Sequence, residues 1–283
     1  MKTFRKKTFP KALLFLAILT LIPAGAAFGD PFGIDLFRDV KKGNFSRLKK
    51  DLSEGGKVDG RDEFGQTPLM VAVGFGRLEM EKFLIRSGAD VNARNKFGRT
   101  PLMVATRMGH RSIAVLLIKS GADIRAKDDQ GETSLMIAAG SGQLGMAKLL
   151  LGLGARIDER DRRGQTPLMV AIRHTHPRMV DFLIKSKADV NARNNQGVTP
   201  LMLSAITGSL HETRSLVLAG GRIEDRDHKG RNALSYAKTG QDKIVLDYLE
   251  KISAVPASRP AVNLPELPGK GSQSQSAARP VSP

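Results

Sequence analysis

The most chemically suggestive side chains in this sequence are two histidines at alternate positions, His174 and His176. Imidazole is a common zinc ligand, but structural zinc sites use four ligands and catalytic sites use three protein ligands. The chain contains five His and no Cys, and no third ligand of either type stands at a recognisable spacing. We therefore interpret His174-Thr175-His176-Pro177 as an exposed turn, and we expect no bound metal.

A glycine-rich segment offers a second possible chemistry, that of a nucleotide cofactor. Residues 140–145 read Gly-Ser-Gly-Gln-Leu-Gly, which matches the dinucleotide-binding fingerprint. That fingerprint binds a cofactor only where it follows a strand inside a βαβ unit. Here the pattern indicates a helix before it, and Gly142 is equivalent to the turn residues Gly76 and Gly109. The absence of Cys excludes thiolate chemistry, and nothing in the sequence predicts the geometry of a Ser-His-Asp triad. We expect no cofactor and no catalysis.

Residues 1–29 determine where the protein is expected to work. Five basic residues precede an apolar run from Ala12 to Ile22, and small residues follow. This order is typical of a secretory signal peptide and predicts a periplasmic or secreted mature protein. Cleavage after Ala26, Ala27 or Gly29 is compatible with the preference of the peptidase for small residues. The alternative is an uncleaved anchor facing the periplasm, because the stretch up to Phe28 is at the lower limit of a bilayer span.

Most of the remaining chain repeats itself every 33 residues. The tetrapeptide Thr67-Pro68-Leu69-Met70 has counterparts that begin at Thr100, Thr133, Thr166, Thr199 and, in degenerate form, Asn232. A glycine keeps the same step at Gly65, Gly98, Gly131, Gly164, Gly197 and Gly230. We divide residues 30–252 into repeats at 34–66, 67–99, 100–132, 133–165, 166–198, 199–231 and 232–251. Residues 253–283 are rich in Pro and Ser, and we expect a disordered tail.

This pattern resembles the ankyrin repeat, which has a 33-residue period and the signature Thr-Pro-Leu-His-x-Ala. The resemblance implies an all-α solenoid of about seven helix-turn-helix-loop repeats, with degenerate caps at 34–66 and 232–251. One such repeat cannot bury its apolar face alone, so the repeats must stack. In the family, the signature His ties adjacent turns by hydrogen bonds. Met stands in its place at 70, 103, 136, 169 and 202, which predicts apolar packing instead.

The chemistry of a single repeat agrees with this resemblance. Thr67 suits the cap of a first helix, and Pro68 suits the first helical position, where a missing N–H costs nothing. Gly88 suits the left-handed turn that ends a second helix. Lys187 replaces this glycine in the repeat 166–198, and we expect strain there if the turn remains left-handed.

The resemblance also implies a binding surface, because ankyrin domains generally bind through loop tips and inner helices that form a concave face. One position of each tip is always basic, and its residues form a stripe: Arg61, Arg94, Lys127, Arg160, Arg193 and Arg226. Either solvation or partner binding explains this stripe equally well.

Positions that differ between repeats are more informative, because folding does not dictate them. Apolar residues occur there in the early repeats at Phe64, Phe75, Phe97 and Met108. Basic residues accompany them at Arg99, Arg107, Arg162, Arg163 and Arg173. Aromatic residues, Met and Arg are enriched at the centres of protein interfaces. We therefore predict that these positions bind a partner.

Composition narrows the class of partner. The net charge of +17 favours an acidic partner or an anionic surface. We predict a monomeric, exported interaction module that binds a protein with an acidic surface through its concave face. The alternative is association with an anionic polymer or lipid headgroups. We expect no nucleic acid partner, because export removes most such targets, and membrane contact only if the leader is uncleaved.

Overall fold

The computed structural model describes residues 36–240 and 242–254. These residues form fourteen helices, and the only β pairing among them is one isolated bridge between Lys127 and Thr133. The chain divides into two compact units, Met1–Gly56 and Lys57–Pro283. The prediction of an all-helical repeat fold is confirmed. The predicted leader and nearly all of the predicted tail lie outside the described residues.

The described part of the first unit is a helical pair, α1 (Leu36–Lys42) and α2 (Phe45–Ser53). Leu36 and Leu48 are buried, so each helix contributes apolar bulk to the pair. Asn44 caps α2, because its side-chain oxygen accepts a hydrogen bond from the backbone N–H of Arg47 at 3.2 Å. This pair corresponds to the degenerate first repeat.

The described part of the second unit contains six helical pairs, and each pair consists of an inner helix followed by an outer helix. The pairs are α3 (Pro68–Gly74) with α4 (Leu78–Arg86), α5 (Pro101–Met108) with α6 (Arg111–Lys119), α7 (Ser134–Gly140) with α8 (Leu144–Gly152), α9 (Pro167–Arg173) with α10 (Pro177–Lys185), α11 (Pro200–Thr207) with α12 (Leu210–Leu218), and α13 (Ala233–Thr239) with α14 (Lys243–Ser253). Inner helices pack against the inner helices of adjacent repeats, and this contact builds the stack.

The recurring tetrapeptide begins the inner helices as predicted. Thr67 has extended backbone geometry, and its hydroxyl oxygen accepts a hydrogen bond from the N–H of Met70 at 3.3 Å. Pro68 follows at the first helical position, where its missing N–H has no intrahelical partner to lose. The same cap recurs in four further repeats, at Thr100, Thr133, Thr166 and Thr199.

The methionines of the tetrapeptide lie in the core. Met70, Met103, Met136, Met169 and Met202 are all fully or almost fully buried. Leu69 and Ala72 of the same inner helix are also buried, so small and large apolar residues alternate across the helix contact. The prediction that these methionines serve apolar packing is confirmed.

The repeat 166–198 contains two backbone positions that other repeats fill with glycine. Lys187 keeps the left-handed conformation with φ of 70°, where Gly88, Gly121 and Gly154 stand in other repeats. Thr175 has φ of 54° in the turn between α9 and α10. A β-branched residue is rarely found there, because its side chain clashes with the backbone. The strain expected at Lys187 is therefore present, and Thr175 adds to it.

Candidate partner-binding surface

The loop tips form a rigid platform along one edge of the stack. Within each tip, an Asp or Asn side chain accepts hydrogen bonds from two backbone N–H groups of its own turn. Asp128, for example, accepts from Gln130 and Glu132, both at 2.9 Å. Consecutive tips are joined through the backbone, as where the N–H of Lys96 donates to the carbonyl of Phe64 at 3.0 Å. The tips therefore hold their variable side chains in a fixed register.

The basic stripe joins the tips a second time. Lys127 Nζ donates to the carbonyl of Arg160 at 3.0 Å. Arg61, Arg160 and Arg193 donate in the same way to Arg94, Arg193 and Arg226, each one repeat further on. Arg94 instead lies 3.7 Å from Asp129 of the next tip. The stripe thus has a structural role in stacking, and its role in partner binding stays a prediction.

The predicted apolar residues are partly solvent-exposed. Phe97 at its loop tip is 54% exposed, and Phe75 and Met108 at the ends of inner helices are 39% and 41% exposed. Phe64 is half-buried in the preceding tip. The Arg99 guanidinium carbon lies 5.7 Å from the centre of the Phe97 ring, a cation–π contact. We call Phe64, Phe75, Phe97 and Met108 the apolar patch.

Two of the predicted basic residues beside the apolar patch are already paired. Arg99 Nε lies 3.5 Å from the buried carboxylate of Asp128, and Arg107 lies 3.9 Å from Glu132. Burial lowers the pKa of Arg107 and raises the pKa of Glu132, while their mutual attraction opposes both shifts. These two arginines therefore balance acidic groups of the next tip and add little net charge to the surface.

The other three predicted basic residues are differently placed. Arg162, Arg163 and Arg173 are exposed, and none of them has an ion-pair partner among the described residues. They line a recess of about 660 Å³ between two loop tips and the ends of the inner helices. We call this concavity the basic recess. The loop tip that carries Arg162 and Arg163 lies two repeats beyond the tip that carries Phe97. At 8–10 Å per packed helix, the two tips are roughly 20 Å apart.

Sequence reasoning missed part of the wall of the basic recess. Leu203 and Tyr236 line it together with Ile206. Leu203 and Tyr236 occupy the same position in consecutive repeats, 33 residues apart. Once one of them is placed at the recess, the repeat alignment indicates the other. Tyr236 donates its hydroxyl to Asp227 at 2.8 Å, and Arg231 donates to the same carboxylate oxygen at 2.7 Å. These bonds hold the ring in place.

The hydrogen bonds around Asp227 shift the pKa values of the groups that form them. Burial alone would raise the pKa of Asp227, but the hydrogen bonds from Arg231 and Tyr236 hold it well below its ordinary value. Burial and the bond to Asp227 raise the pKa of Tyr236 to about 12. Asp227 is therefore ionised and Tyr236 is neutral throughout the physiological range, so this wall of the recess does not change with pH.

Two of the histidines form hydrogen bonds to the preceding repeat. His176 Nε2 lies 3.0 Å from the carbonyl of Gly140, which ties the turn to the preceding repeat. His211 and Ser215 both bond to the carboxylate of Asp181, each at 2.9 Å. In a nucleophilic triad the serine hydroxyl donates its hydrogen bond to the histidine ring. Because Ser215 donates to the carboxylate of Asp181 instead, this cluster does not activate Ser215. The described residues contain no group of three or more potential metal ligands.

Comparisons with known proteins agree with this architecture. The family model described as ankyrin repeats (3 copies) matches residues 36–128, 116–194 and 179–252. Among solved structures, the crystal structure of the human ASB11 ankyrin repeat domain is similar, with a TM-score of 0.67 and 24% identity. That alignment covers 76% of this chain and 96% of the ASB11 chain, and at this identity it shows the fold alone. No curated protein matches the sequence.

The helices of the described residues are short. None of those in residues 36–240 and 242–254 is long and apolar enough to span a membrane.

Proposed function

Because the chain belongs to the ankyrin repeat family, whose repeats form protein–protein interaction modules, we propose that it binds an acidic partner protein through the surface formed by its loop tips and inner helices. The observation that carries the proposal is the unpaired positive charge of the basic recess. Arg162, Arg163 and Arg173 form no ion pair among the described residues, unlike Arg99 and Arg107. An acidic partner would supply the missing counter-charge through charge-assisted hydrogen bonds.

The apolar patch supports the same proposal. Phe75, Phe97 and Met108 are exposed although the core around the inner helices is otherwise tightly buried. Exposed aromatic residues on a rigid platform are suited to anchor a partner, because few degrees of freedom are lost on binding. The partner would therefore contact apolar and basic areas that lie along one row of repeats.

The rival function, association with anionic polymer or lipid headgroups, depended mainly on the basic stripe. Arg61, Lys127, Arg160 and Arg193 instead bond to backbone carbonyls of the next repeat. These side chains keep their positive charge, but their hydrogen bonds to the next repeat fix their orientation. This fixed orientation favours a protein partner over a polyanion that needs a free row of cations.

We also propose that the protein works outside the cytoplasm. The support is the basic, apolar and small-residue order of residues 1–29. In this proposal the partner is a periplasmic or secreted protein, and the mature chain lacks the leader.

The proposed function can be tested by crosslinking capture of the native partner from the extracytoplasmic fraction. We expect Phe97→Ala to weaken capture through faster dissociation, because truncating an interface aromatic typically costs about 2 kcal/mol or more. We expect Arg163→Ala to slow association most at low salt, since exposed charges mainly steer the encounter.

The matched control is Lys119→Ala, an exposed residue at the end of the outer helix α6. Capture that depends on Lys119 but not on Phe97 or Arg163 would place binding on the outer helices and contradict the proposal. Capture that vanishes with salt and ignores Phe97→Ala would instead support the polyanion alternative.

A further inference from the structure

The basic recess combines a basic and an apolar surface. Three guanidinium groups line it together with Leu203, Ile206 and Tyr236. Its volume of about 660 Å³ lies within the range of pockets that hold small ligands or several side chains. The recess therefore offers both positive charge and an apolar wall within one concavity.

Ile206 is the residue that folding does not explain. It is 46% exposed at the end of α11. The equivalent positions in other repeats are Gly74, Arg107, Gly140, Arg173 and Thr239, none of which is aliphatic. A polar residue is therefore compatible with this position, and the isoleucine leaves apolar area uncovered beside the arginines.

The three arginines of the recess form no ion pair with any described residue. The loop tip that contains Asn195 and Gln196 also lines the recess, and it offers amides instead of carboxylates. By contrast, the tip one repeat before the arginines contributes Asp128 and Glu132, which pair with Arg99 and Arg107. The chain thus neutralises its early arginines and leaves the later three open to an external anion.

We propose that the basic recess binds a short acidic segment of a partner protein in which an aliphatic side chain is flanked by carboxylates. The proposal rests on the proposed function and specifies the chemistry of the bound segment. The carboxylates would pair with Arg162, Arg163 and Arg173, and the aliphatic side chain would cover Ile206 against Leu203 and Tyr236. A polyanion would satisfy the arginines but would leave the apolar wall in contact with water.

The test uses two fluorescein-labelled peptides, Glu-Asp-Leu-Glu-Asp and Glu-Asp-Ser-Glu-Asp, which have the same charge and differ in one side chain. Binding to the full mature chain is measured by fluorescence anisotropy at roughly physiological ionic strength. We expect the leucine peptide to bind about tenfold more tightly than the serine peptide, since one buried aliphatic side chain accounts for such a difference.

Two variants separate the contributions of charge and apolar contact. Arg173→Gln should weaken both peptides roughly tenfold, as expected for one charge-assisted contact. Ile206→Ser should remove most of the advantage of the leucine peptide and leave the serine peptide unchanged. The matched controls are Lys119→Gln and Leu218→Ser, which change an exposed charge and a 66% exposed aliphatic residue on outer helices. All four variants should keep the thermal midpoint of the parent chain.

Two results would overturn the proposal. Equal binding of both peptides, with no effect of Ile206→Ser, would make the recess a simple anion site. Failure of both peptides to bind, while the native partner is still captured in a Phe97-dependent manner, would reject the recess as the binding site, and the proposed function would then depend on the apolar patch alone. Peptide binding with the expected pattern, but no capture of any extracytoplasmic protein, would support the recess and reject the wider proposal.

Discussion

At the scale of single residues, the repeat 166–198 accommodates two side chains where its backbone favours glycine. Lys187 and Thr175 have φ of 70° and 54°. A left-handed conformation costs an L-residue about 1–2 kcal/mol. Strain of this kind persists only where the surrounding structure determines the backbone, and here the packed repeats on both sides do so.

We predict that Lys187→Gly stabilises the protein by about 1 kcal/mol, because it removes the steric cost and loses only some unfolded-state advantage. Urea denaturation at constant pH measures the change. The matched control is Lys185→Gly, two residues earlier at the end of α10. There the backbone is helical, and glycine should destabilise the chain. Equal effects of the two substitutions would contradict the explanation from backbone strain.

A second residue-scale feature is the buried carboxyl group of Glu212 in α12. Both of its side-chain oxygens lack hydrogen-bond partners among the described residues, and the side chain is 1% exposed. Burial raises its pKa to about 7. Met80, Ile113, Met146 and Met179 occupy the equivalent position in other repeats, so an apolar residue fits this environment.

We predict that Glu212 makes stability depend on pH between about 4.5 and 7. The folded chain holds this proton more tightly than the unfolded chain, so the contribution is fully present below the unfolded pKa. It is lost as the pH rises through the folded pKa, at a total cost of about 3 kcal/mol. Glu212→Met should raise the free energy of unfolding at pH 8 and reduce its pH dependence. The part that remains is the contribution of the buried Glu81, because burial raises its pKa to about 7 as well. Glu250→Met, which changes an exposed carboxyl in α14, should leave the pH dependence as it is.

At the scale of the structural elements, hydrogen bonds from the basic stripe tie loop tips to one another. Methionine at the histidine position of the signature is buried and cannot tie adjacent turns by hydrogen bonds. Arg160 and its equivalents donate from the loop tips to carbonyls of the next repeat. Hydrogen bonds at the loop tips therefore couple consecutive repeats, and the buried methionines add apolar packing at the start of the inner helices.

We predict that substitutions of two arginines in the same tip have different effects, one on stability and the other on partner capture. Arg160→Met should lower the free energy of unfolding by about 1 kcal/mol, the usual net contribution of one hydrogen bond, with little effect on partner capture. Arg163→Met should leave stability unchanged and weaken capture. Chemical denaturation and crosslinking capture on the same preparations measure both quantities. A loss of capture without a loss of stability in Arg160→Met would assign the stripe to partner binding instead.

At the scale of the whole molecule, the proposed export determines which partners are available. We predict that the mature protein isolated from native cells begins between Ala27 and Asp30, because the small residues there suit a signal peptidase. N-terminal sequencing of the extracytoplasmic fraction checks this. Recovery from membranes of a chain that still begins at Met1 would show that the leader is an anchor. The lysine-to-glutamine control Lys119→Gln, made outside the leader, should not alter the processed terminus.

The repeat architecture follows from the order of residues alone, because a 33-residue period is visible wherever each unit packs in the same way. The sequence placed the threonine caps and the buried methionines correctly, and it identified Lys187 as a replacement for glycine, although it did not determine whether that turn stays left-handed. These features depend on contacts within one repeat or on a pattern that every repeat shares. For the same reason, the variable positions along the tips and inner helices could be aligned without coordinates.

Which of those variable side chains already pair with other groups of the chain becomes visible only in three dimensions. Arg99, Arg107 and Arg163 look alike in the sequence, yet the first two pair with carboxylates of the next tip and the third does not. The sequence shows the stripe only as a row of basic residues, whereas the structure shows that most of its members donate hydrogen bonds to carbonyls of the next repeat. Side-chain partners one repeat away depend on rotamers and distances in space, and the linear period of the chain does not encode these.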